Sequence, residues 1–410
     1  MKVVLISSNS SPRGGGEDFI IYLARVLSKF YKKTLFAIYS DKAYMNNFVL
    51  NIRQYTNKIT RVNYNELSKR KLRFFSSIFD LKQIFRIYKS INKINPNLII
   101  INQQYDEDAL DIIISSIFYK IINYSASVKI ACIMHMPRVS NKIMKQPLGK
   151  SRYIFLLIFY GLLKPNFLLT TRECLEEFQK YYFLNKKKSF LMRSPLPDIK
   201  RNISKKYSIE IIKNSEIPEY AKNKLAKWVK KKRQIILLGC QMKTQKNPLF
   251  ALSCWIKFRN LYKSNACFLI IGDGPLKNEI SKRISNLSDK DREDTLQINW
   301  VKELSRYILI ADLLLMPSSF EGMNLTLLES ISYNKDIILS KFEGINEIKD
   351  FDKCCELINL FDEKLWAKKI HKILSSQLNQ KYENILNKKF IYHYSDLECL
   401  NSIQKSINLS

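Results

Sequence analysis

The chain has 410 residues, enough for two domains with a hydrophobic core each, and its hydrophobic content of 46% is that of a globular protein. Its 68 Lys and Arg against 37 Asp and Glu give a net charge of +31, which favours anionic partners such as lipid, nucleic acid or anionic substrates. The eight cysteines form no CxxC pair or zinc-type spacing, which excludes zinc-finger classes and indicates a reducing cytoplasm. The charge could also be compositional, because Lys, Asn and Ile are abundant throughout the chain.

The first half of the chain alternates strand and helix patterns. Short apolar runs bounded by polar residues predict strands, and apolar residues recurring every three or four positions predict helices. The predicted strands are Val3 to Ser7, Leu35 to Tyr39, Leu98 to Asn102, Val128 to Met134, Phe167 to Thr170 and Ser189 to Arg193. The predicted helices include Phe19 to Phe30, Leu81 to Ile94 and Ala109 to Ile122. This alternation is typical of a parallel sheet with helices on both faces.

No segment of the first half is typical of a secretion signal or a membrane span. The N-terminal strand is too short and wrongly flanked for a signal peptide. The longest apolar run, Tyr153 to Leu163, is too short to cross a bilayer. It is either a core helix or, beside Lys145, Lys150 and Arg152, a surface that seats on anionic lipid. Lys69 to Phe75 is a further basic and aromatic segment that could contact anionic lipid. Because the sequence indicates neither a signal peptide nor a membrane span, a soluble or peripheral membrane protein is expected.

A polar, lysine-rich connector follows Pro195 to Asp198 and ends at Lys230 to Arg233. The alternation then restarts, and the tail from Phe390 to Ile407 has a helical pattern. The predicted strands of this half are Ile235 to Gly239, Phe268 to Gly272, Leu296 to Val301, Leu313 to Pro317 and Ile337 to Ser340. We therefore predict an α/β fold of two Rossmann-like domains, residues 1–198 and 199–385.

One stretch of the second half has the layout of a ligand site. The apolar run Leu313 to Pro317 predicts a strand, Ser318 to Met323 a loop, and the pattern from about Asn324 a helix. A helix end beyond the carboxyl end of a parallel strand favours phosphate. Glu321 and Glu329 flank this turn and could bind sugar hydroxyls, so a sugar diphosphate would fit, although both could also be ordinary surface acids.

The same stretch resembles a known family. Glu321 and Gly322, with Glu329 eight residues later, are similar to the paired-glutamate motif of family 4 glycosyltransferases, retaining enzymes with the GT-B fold. The similarity continues without a gap through Ile337 to Ser340 and as far as Ile348. The resemblance implies that the two Rossmann-like domains face each other across a cleft. It also implies that the tail, residues 386–410, is a helix crossing back to the first domain.

The resemblance implies a donor site in the second domain for a nucleotide diphosphate sugar, carrying UDP or GDP. Glu321 would bind the sugar hydroxyls, Glu329 the ribose, and Lys246 would neutralise the diphosphate. Gln241 stands where the family usually has an arginine, which removes one positive charge, and Lys243 could replace it. The backbone N–H groups that would also bind the diphosphate are those of Gly322, Met323, Asn324 and Leu325.

Glycine-rich turns mark both domains. Gly274 lies in the turn Gly272 to Leu276, which matches the family's Gly-Asp-Gly-Pro-Leu turn and would support the nucleotide as scaffold. Gly15 and Gly16 follow the first strand and open a helix. Such a turn alone is weak evidence, but the resemblance places this loop by the diphosphate and the acceptor.

His135 closes a predicted strand of the first domain. A lone histidine after an apolar strand is often structural, whereas the family often has one near the reacting sugar. We therefore predict Glu321, Lys246 and His135 as the catalytic residues.

The implied reaction moves a sugar from a nucleotide diphosphate sugar to a hydroxyl of a glycan or lipid-linked acceptor, with the anomeric configuration retained. Its implied setting is the synthesis of bacterial surface polysaccharide such as lipopolysaccharide. No bound cofactor or metal is expected. The Asp-x-Asp triplets are interpreted as solvated acids, namely Asp106 and Asp108, Asp289 and Asp291, and Asp350 and Asp352.

Two other classes of protein stay open. A GT-B-fold protein with different or lost chemistry, such as a sugar epimerase or a non-catalytic partner subunit, is compatible with Gln241. A nucleic-acid-binding protein is compatible with the charge, but the basic residues are scattered and no such motif is present, so no nucleic acid is expected. The expected location is the cytoplasm, including the inner face of the cytoplasmic membrane.

Overall fold

The computed structural model describes residues 1–7, 15–31, 34–40, 51–62, 80–103, 105–123, 127–135, 149–196, 208–342, 345–348, 355–359, 361–376 and 390–408. The chain divides into two compact units. The first unit comprises Met1–Leu196 and His393–Ser410, and the second unit comprises Pro197–Tyr392. Each unit is a parallel sheet with helices packed on it, so the predicted α/β fold with two Rossmann-like halves is confirmed.

The first unit contains a seven-stranded sheet in the order β3-β2-β1-β4-β5-β6-β7, and all its strand pairs are parallel. Its strands are β1 (Val3–Ser7), β2 (Leu35–Ser40), β3 (Ile59–Val62), β4 (Leu98–Gln103), β5 (Lys129–Met134), β6 (Asn166–Leu169) and β7 (Ser189–Leu191). The central strands are continuous apolar runs buried from both sides, as parallel sheets require. The strand order reverses between β1 and β4, and ligands bind beside such a point in open α/β sheets.

The described helices that connect these strands are α1 (Gly15–Tyr31), α2 (Leu81–Ile94), α3 (Leu110–Ile122), α4 (Gly149–Leu163) and α5 (Arg172–Tyr181). Right-handed crossovers place α2, α3 and α4 on one face of the sheet and α1 on the other. A 3-10 turn, Phe183–Lys188, links α5 to β7.

The second unit contains a six-stranded parallel sheet in the order β10-β9-β8-β11-β12-β13. Its strands are β8 (Gln234–Gly239), β9 (Ala266–Ile271), β10 (Thr295–Ile298), β11 (Leu313–Met316), β12 (Asp336–Ser340) and β13 (Cys355–Ile358). Its helices are α6 (Ser208–Lys213), α7 (Glu219–Lys230), α8 (Pro248–Leu261), α9 (Lys277–Ser285), α10 (Asp289–Glu293), α11 (Ser305–Ile310), α12 (Leu325–Ser332) and α13 (Glu363–Ser375). Trp255, Phe258 and Trp366 are fully buried in the core under α8 and α13.

The last helix, α14 (Asp396–Asn408), belongs to the first unit and packs beside α1. The Arg25 guanidinium of α1 donates to Asp396 at 2.7 Å and to the Leu196 carbonyl at 2.5 Å. The Arg193 amide donates to the Ser402 hydroxyl at 3.2 Å. These bonds join the end of the chain to the end of the first unit's sheet.

Three details differ from the sequence interpretation. The polar connector is partly helical, because α6 and α7 bury Ile212, Leu225 and Trp228. The predicted strand Leu296 to Val301 ends at Ile298. Two strands, β3 at one edge of the first sheet and β13 at one edge of the second, are additional.

The interpretation of Asp106 as a solvated acid is wrong. Its side chain is buried, and its carboxylate accepts a hydrogen bond from the Tyr182 hydroxyl at 2.7 Å. The loop after β4 folds against the rings of Tyr160 and Tyr182, which the sequence pattern does not reveal. Asp350 and Asp352 lie outside the described residues.

Candidate functional site

The turn between β11 and α12 lies at the carboxyl edge of the second sheet, the edge where the carboxyl ends of its strands lie. The Asn324 side chain caps α12 by accepting from the Leu327 amide at 3.2 Å. The Ser340 hydroxyl, at the end of β12, donates to the Ser318 carbonyl and ties the turn to the next strand. The first N–H groups of α12 therefore point beyond this edge, which suits an anion.

Two buried carboxylates flank this turn. Glu321 is 7% exposed and Glu329, in the second turn of α12, is 8% exposed. Burying a carboxylate is costly unless it is paired or hydrogen-bonded. For Glu321 the partner is Lys246, whose ammonium forms an ion pair with its Oε1 atom.

Lys246 reaches Glu321 because two loops are hydrogen-bonded to each other. Lys246 ends a 3-10 turn, Thr244–Lys246, that follows β8 and precedes α8. The Gln245 side-chain amide in this turn donates to the Phe320 backbone carbonyl at 2.7 Å. The Gln245 backbone carbonyl accepts from the Ser319 backbone amide at 2.8 Å. The pair thus lies between segments 75 residues apart in the chain.

A third loop, after β9, completes the frame. The Met242 amide donates to the Asp273 carbonyl at 2.9 Å, and the Leu276 amide donates to the Met242 carbonyl at 2.8 Å. Gly272 and Gly274 have φ angles of 153° and 149°, which L-residues rarely adopt. A Cβ atom on Gly272 would lie 1.9 Å from the Cys240 carbonyl oxygen, so only glycine permits this approach.

The electrostatics of the loop after β8 are cationic. Burial and then the neighbouring Lys246 ammonium lower the pKa of Lys243, so the two lysines share one small region. Burial raises the pKa of the Cys240 thiol to about 12, which keeps it neutral. Gln241 precedes both lysines in the chain and adds no charge, so Lys243 and Lys246 are the two cations of this loop. Such a loop can neutralise a diphosphate.

The predicted donor-site residues of the second unit thus lie on three loops joined by hydrogen bonds at one sheet edge. Lys246 and Glu321 are in contact, whereas Glu329 lies further along α12. The remaining predicted residues lie in the same three loops or the start of α12, and they are Gln241, Gly274, Gly322, Met323, Asn324 and Leu325.

His135 lies at the carboxyl edge of the first sheet, directly after β5. Its Nε2–H donates to the Asn102 side-chain oxygen at 2.8 Å, and its ring meets the Phe19 ring edge-on at 4.5 Å. Burial lowers the pKa of His135 from 6.5 to about 4, so the imidazole is neutral at physiological pH. A neutral imidazole can orient a hydroxyl but carries no charge for a phosphate.

Gly15 and Gly16 form the first turn of α1, one turn before Phe19. Since Phe19 touches His135, the predicted glycines and the histidine lie at the same edge of the first sheet. The preceding residues 8–14 lie outside the described part of the chain.

Two residues of the candidate sites are not predicted from the sequence. Gln245 joins two loops of the second unit, and Asn102 fixes the tautomer of His135. A polar residue closing a buried strand was the available signal for Asn102. Nothing in the sequence marks Gln245, because its partners are distant in the chain. Within the described residues, no group of three or more His, Cys, Asp or Glu side chains could hold a metal ion.

Comparisons with known proteins bear on the fold and on the class of this protein. Residues 221–391, which cover most of the second unit, match the family model for glycosyl transferases group 1. A UDP-Gal:α-D-GlcNAc-diphosphoundecaprenol α-1,3-galactosyltransferase of Escherichia coli is 29% identical over 136 residues. That match spans 30% of this chain and 35% of the relative.

Solved structures are similar over the whole chain. HepE of Anabaena, solved in complex with UDP-glucose, has a TM-score of 0.72 at 10% identity, covering all of both chains. A glycosyltransferase of Rickettsia africae has a TM-score of 0.66 at 16% identity, covering 100% of this chain and 98% of that one. The lipopolysaccharide outer core galactosyltransferase WaaB has a TM-score of 0.63 at 15% identity, covering 100% and 99%.

At these identities the structural neighbours show the fold alone, which is that of GT-B glycosyltransferases. No described helix is both long and apolar enough to cross a membrane. The family match covers the unit that carries the Lys246–Glu321 pair. Together, the family model and the relative support a glycosyltransferase of the group 1 type.

Proposed function

We propose that this protein transfers a sugar from a nucleotide diphosphate sugar to a hydroxyl of a lipid-linked or lipopolysaccharide-type glycan. One observation carries the proposal: the Lys246–Glu321 ion pair lies at the carboxyl edge of the second sheet, beside the capped start of α12. That edge combines a cation and the N–H groups at the start of a helix, which suit a diphosphate, with buried carboxylates, which suit sugar hydroxyls.

The donor is bound by the second unit in this proposal. The start of α12 and the ammonium of Lys246 contact the diphosphate, Glu321 accepts from sugar hydroxyls, and Glu329 accepts from the ribose. Breaking the bond between sugar and phosphate leaves negative charge on the departing nucleotide. Lys246 stabilises that charge as it develops, and a fixed cation in a buried site is effective because it needs no reorganisation.

We infer UDP as the nucleotide. The name of the Escherichia coli relative gives UDP-Gal as its donor, and HepE was solved in complex with UDP-glucose. Both support a uridine nucleotide over a guanosine nucleotide. The same relative acts on a diphosphoundecaprenol-linked GlcNAc, which supports a lipid-linked acceptor and a place at the inner face of the cytoplasmic membrane.

The first unit serves the acceptor in this proposal, and the transfer retains the anomeric configuration. His135 is neutral and hydrogen-bonded through Nε2, so its Nδ1 atom can accept from a hydroxyl. Its part is therefore to orient a sugar hydroxyl and not to supply charge. Gly15 and Gly16 begin α1 at the same edge and leave space for backbone contacts.

Calorimetric titration of the full-length protein with UDP, UDP-galactose, UDP-glucose, GDP and GDP-mannose tests the donor site. We expect binding of the uridine nucleotides, weakened about tenfold to a hundredfold by Glu329→Gln because a charged hydrogen-bond acceptor is lost. Glu303→Gln is the matched control, since Glu303 is an exposed acid of the same unit paired only with Arg306 among the ion pairs described.

The transfer itself is tested with UDP-galactose and a short-chain GlcNAc-diphospholipid. The expected product carries a new α-linked sugar, whose anomeric configuration NMR spectroscopy reads directly. A β-linked product would contradict retention. Failure of every nucleotide to bind would overturn the donor site and favour a non-catalytic GT-B protein.

A further inference from the structure

From Tyr153 onward helix α4 is apolar on all sides, which a helix at a protein surface normally is not. Leu156 and Tyr160 point into the core of the first unit and are buried. On the opposite side, Ile154, Ile158 and Leu162 are spaced four residues apart and are 53%, 52% and 76% exposed. Residues at this spacing form one line along a helix, so the outer side of α4 presents a continuous apolar row.

The 3-10 turn Phe183–Lys188 widens this row. Phe183 and Leu184 are 59% and 53% exposed. The Leu184 side chain lies directly over Gly161, where an added Cβ atom would be 2.6 Å from it. The two elements are therefore adjacent, and we call Ile154, Ile158, Leu162, Phe183 and Leu184 the apolar stripe.

A group of lysines lies at one end of the apolar stripe. Lys164 follows α4, Lys188 ends the 3-10 turn, Lys120 is near the end of α3, and Lys129 begins β5. Each stands where a helical segment gives way to the next strand, so the parallel topology gathers them at the amino edge of the sheet. Burial and then repulsion from Lys120, Lys129 and Lys164 lower the pKa of Lys188, which confirms their proximity. We call these four residues the lysine cluster.

We propose that the apolar stripe and the lysine cluster seat this protein on the surface of an anionic lipid bilayer. The stripe enters the interface between headgroups and acyl chains, and the cluster contacts the anionic headgroups. Neither α4 nor the 3-10 turn contains an Asp or Glu that could pair with lysines of a second copy. Anionic headgroups supply that counter-charge, and the net charge of +31 acts in the same direction.

The surface differs from the one indicated by the sequence. Arg152 forms an ion pair with Glu107, so part of its charge is already neutralised within the protein. Lys145 and Lys69 to Phe75 lie outside the described residues. The interpretation of Tyr153 to Leu163 as a core helix holds for one side of α4 only, because the other side is exposed.

Co-sedimentation of the full-length protein with vesicles tests the proposal without any nucleotide sugar, so it fails or succeeds separately from the proposed function. The vesicles are pure phosphatidylcholine, or phosphatidylcholine with phosphatidylglycerol. We expect binding to the anionic vesicles. The double substitution Ile158→Gln and Leu162→Gln should weaken binding to the anionic vesicles about tenfold or more, because less apolar surface is then buried in the bilayer interface.

Leu397→Gln is the matched control, since Leu397 is 50% exposed on α14, which packs beside α1 on the other face of the sheet. This variant should bind as the wild type does. Lys164→Gln with Lys188→Gln should weaken binding to the anionic vesicles about tenfold or more and leave binding to the neutral vesicles unchanged.

Three results would overturn the proposal. The first is no binding of the wild type to anionic vesicles at low ionic strength. The second is equal loss of binding in the stripe variant and in Leu397→Gln. The third is a dimer in sedimentation velocity that the stripe variant dissolves, which would make a second copy of this chain the occupant.

Discussion

The carboxyl edges of the two sheets are built from different chemistry. In the second unit the edge carries Lys243, Lys246 and the buried carboxylates Glu321 and Glu329. In the first unit the edge carries the neutral His135, bonded to an uncharged amide. Both edges follow the same topology of parallel strands and crossover helices.

The shared fold therefore positions a candidate site at the carboxyl edge of each sheet, and the side chains at each edge decide which part of the substrate that edge suits. A diphosphate needs fixed positive charge, which Lys243 and Lys246 supply at the second unit's edge. A sugar hydroxyl needs neutral hydrogen-bonding groups, which the first unit's edge has. Changes that remove charge, rigidity or neutrality from one edge should therefore affect one function and leave the other unit intact.

The largest effect is expected from Gly272→Ala, which breaks the loop frame of the second unit. The new Cβ would collide with a backbone carbonyl at a φ angle unsuited to alanine, at a cost of about 4 kcal/mol. All four tryptophans, at 228, 255, 300 and 366, lie in the second unit, so tryptophan fluorescence during urea unfolding reports on that unit.

Gly239→Ala is the matched control for this substitution. The three atoms nearest to its Cβ would all belong to the Leu304 side chain, the closest at 2.9 Å, and this side chain can move aside at about 1 kcal/mol. Equal unfolding midpoints for the two variants would contradict the rigid frame.

Lys246→Ala removes the cation that we propose contacts the diphosphate. Turnover of the nucleotide sugar should fall about a hundredfold or more, as for loss of one preorganised charge-stabilising group. Affinity for UDP should fall while affinity for uridine stays constant, which calorimetry can measure. Lys290→Ala, an exposed lysine of α10, is the control. Equal losses for UDP and uridine would show a structural effect.

The neutrality of His135 predicts a pH dependence of stability. Because its pKa is about 4 in the folded chain and 6.5 in the unfolded chain, the unfolded state binds more protons between these values. Its contribution is complete above about pH 6.5 and is lost as the pH falls toward 4. Between pH 7.5 and pH 5 the loss is about 2 kcal/mol.

His135→Gln should remove that part of the pH dependence. Urea unfolding followed by far-ultraviolet circular dichroism measures it, with tryptophan fluorescence reporting on the second unit separately. An unchanged pH dependence in the variant would contradict the lowered pKa of His135 in the folded protein.

The smallest effect is expected from Asn324→Ala, which removes the cap of α12. The lost hydrogen bond to the Leu327 amide should cost about 1 kcal/mol of stability. Asn324→Ser keeps a capping oxygen and should retain most of that stability. If the two variants unfold alike, the cap contributes nothing to holding the start of α12.

The sequence predicts the fold well where strands are buried on both sides. Val3 to Ser7 and Ile337 to Ser340 are continuous apolar runs, and both are strands in the structure. Strands β3 and β13 lack such runs, since Arg61 and Glu356 interrupt them, and each lies at one end of its sheet among the described strands.

The candidate site is predicted in its parts but not in its contacts. Each of Lys246 and Glu321 follows a predicted strand, and parallel topology brings strand ends to one edge. The ion pair itself depends on Gln245 joining two loops, which no local pattern encodes. The lysine cluster is missed for the same reason, because its members are scattered in the chain and meet only through the topology.

The hydrogen bonds that join the loops after β8, β9 and β11 limit how the proposed donor site can vary. A residue inserted into one of these loops would displace the carbonyls on which the other two depend. Their lengths are therefore coupled, and change is confined to side chains on a fixed backbone. A new sugar preference should arise by substitution at positions such as Met323, while insertions should accumulate elsewhere on the surface of this unit.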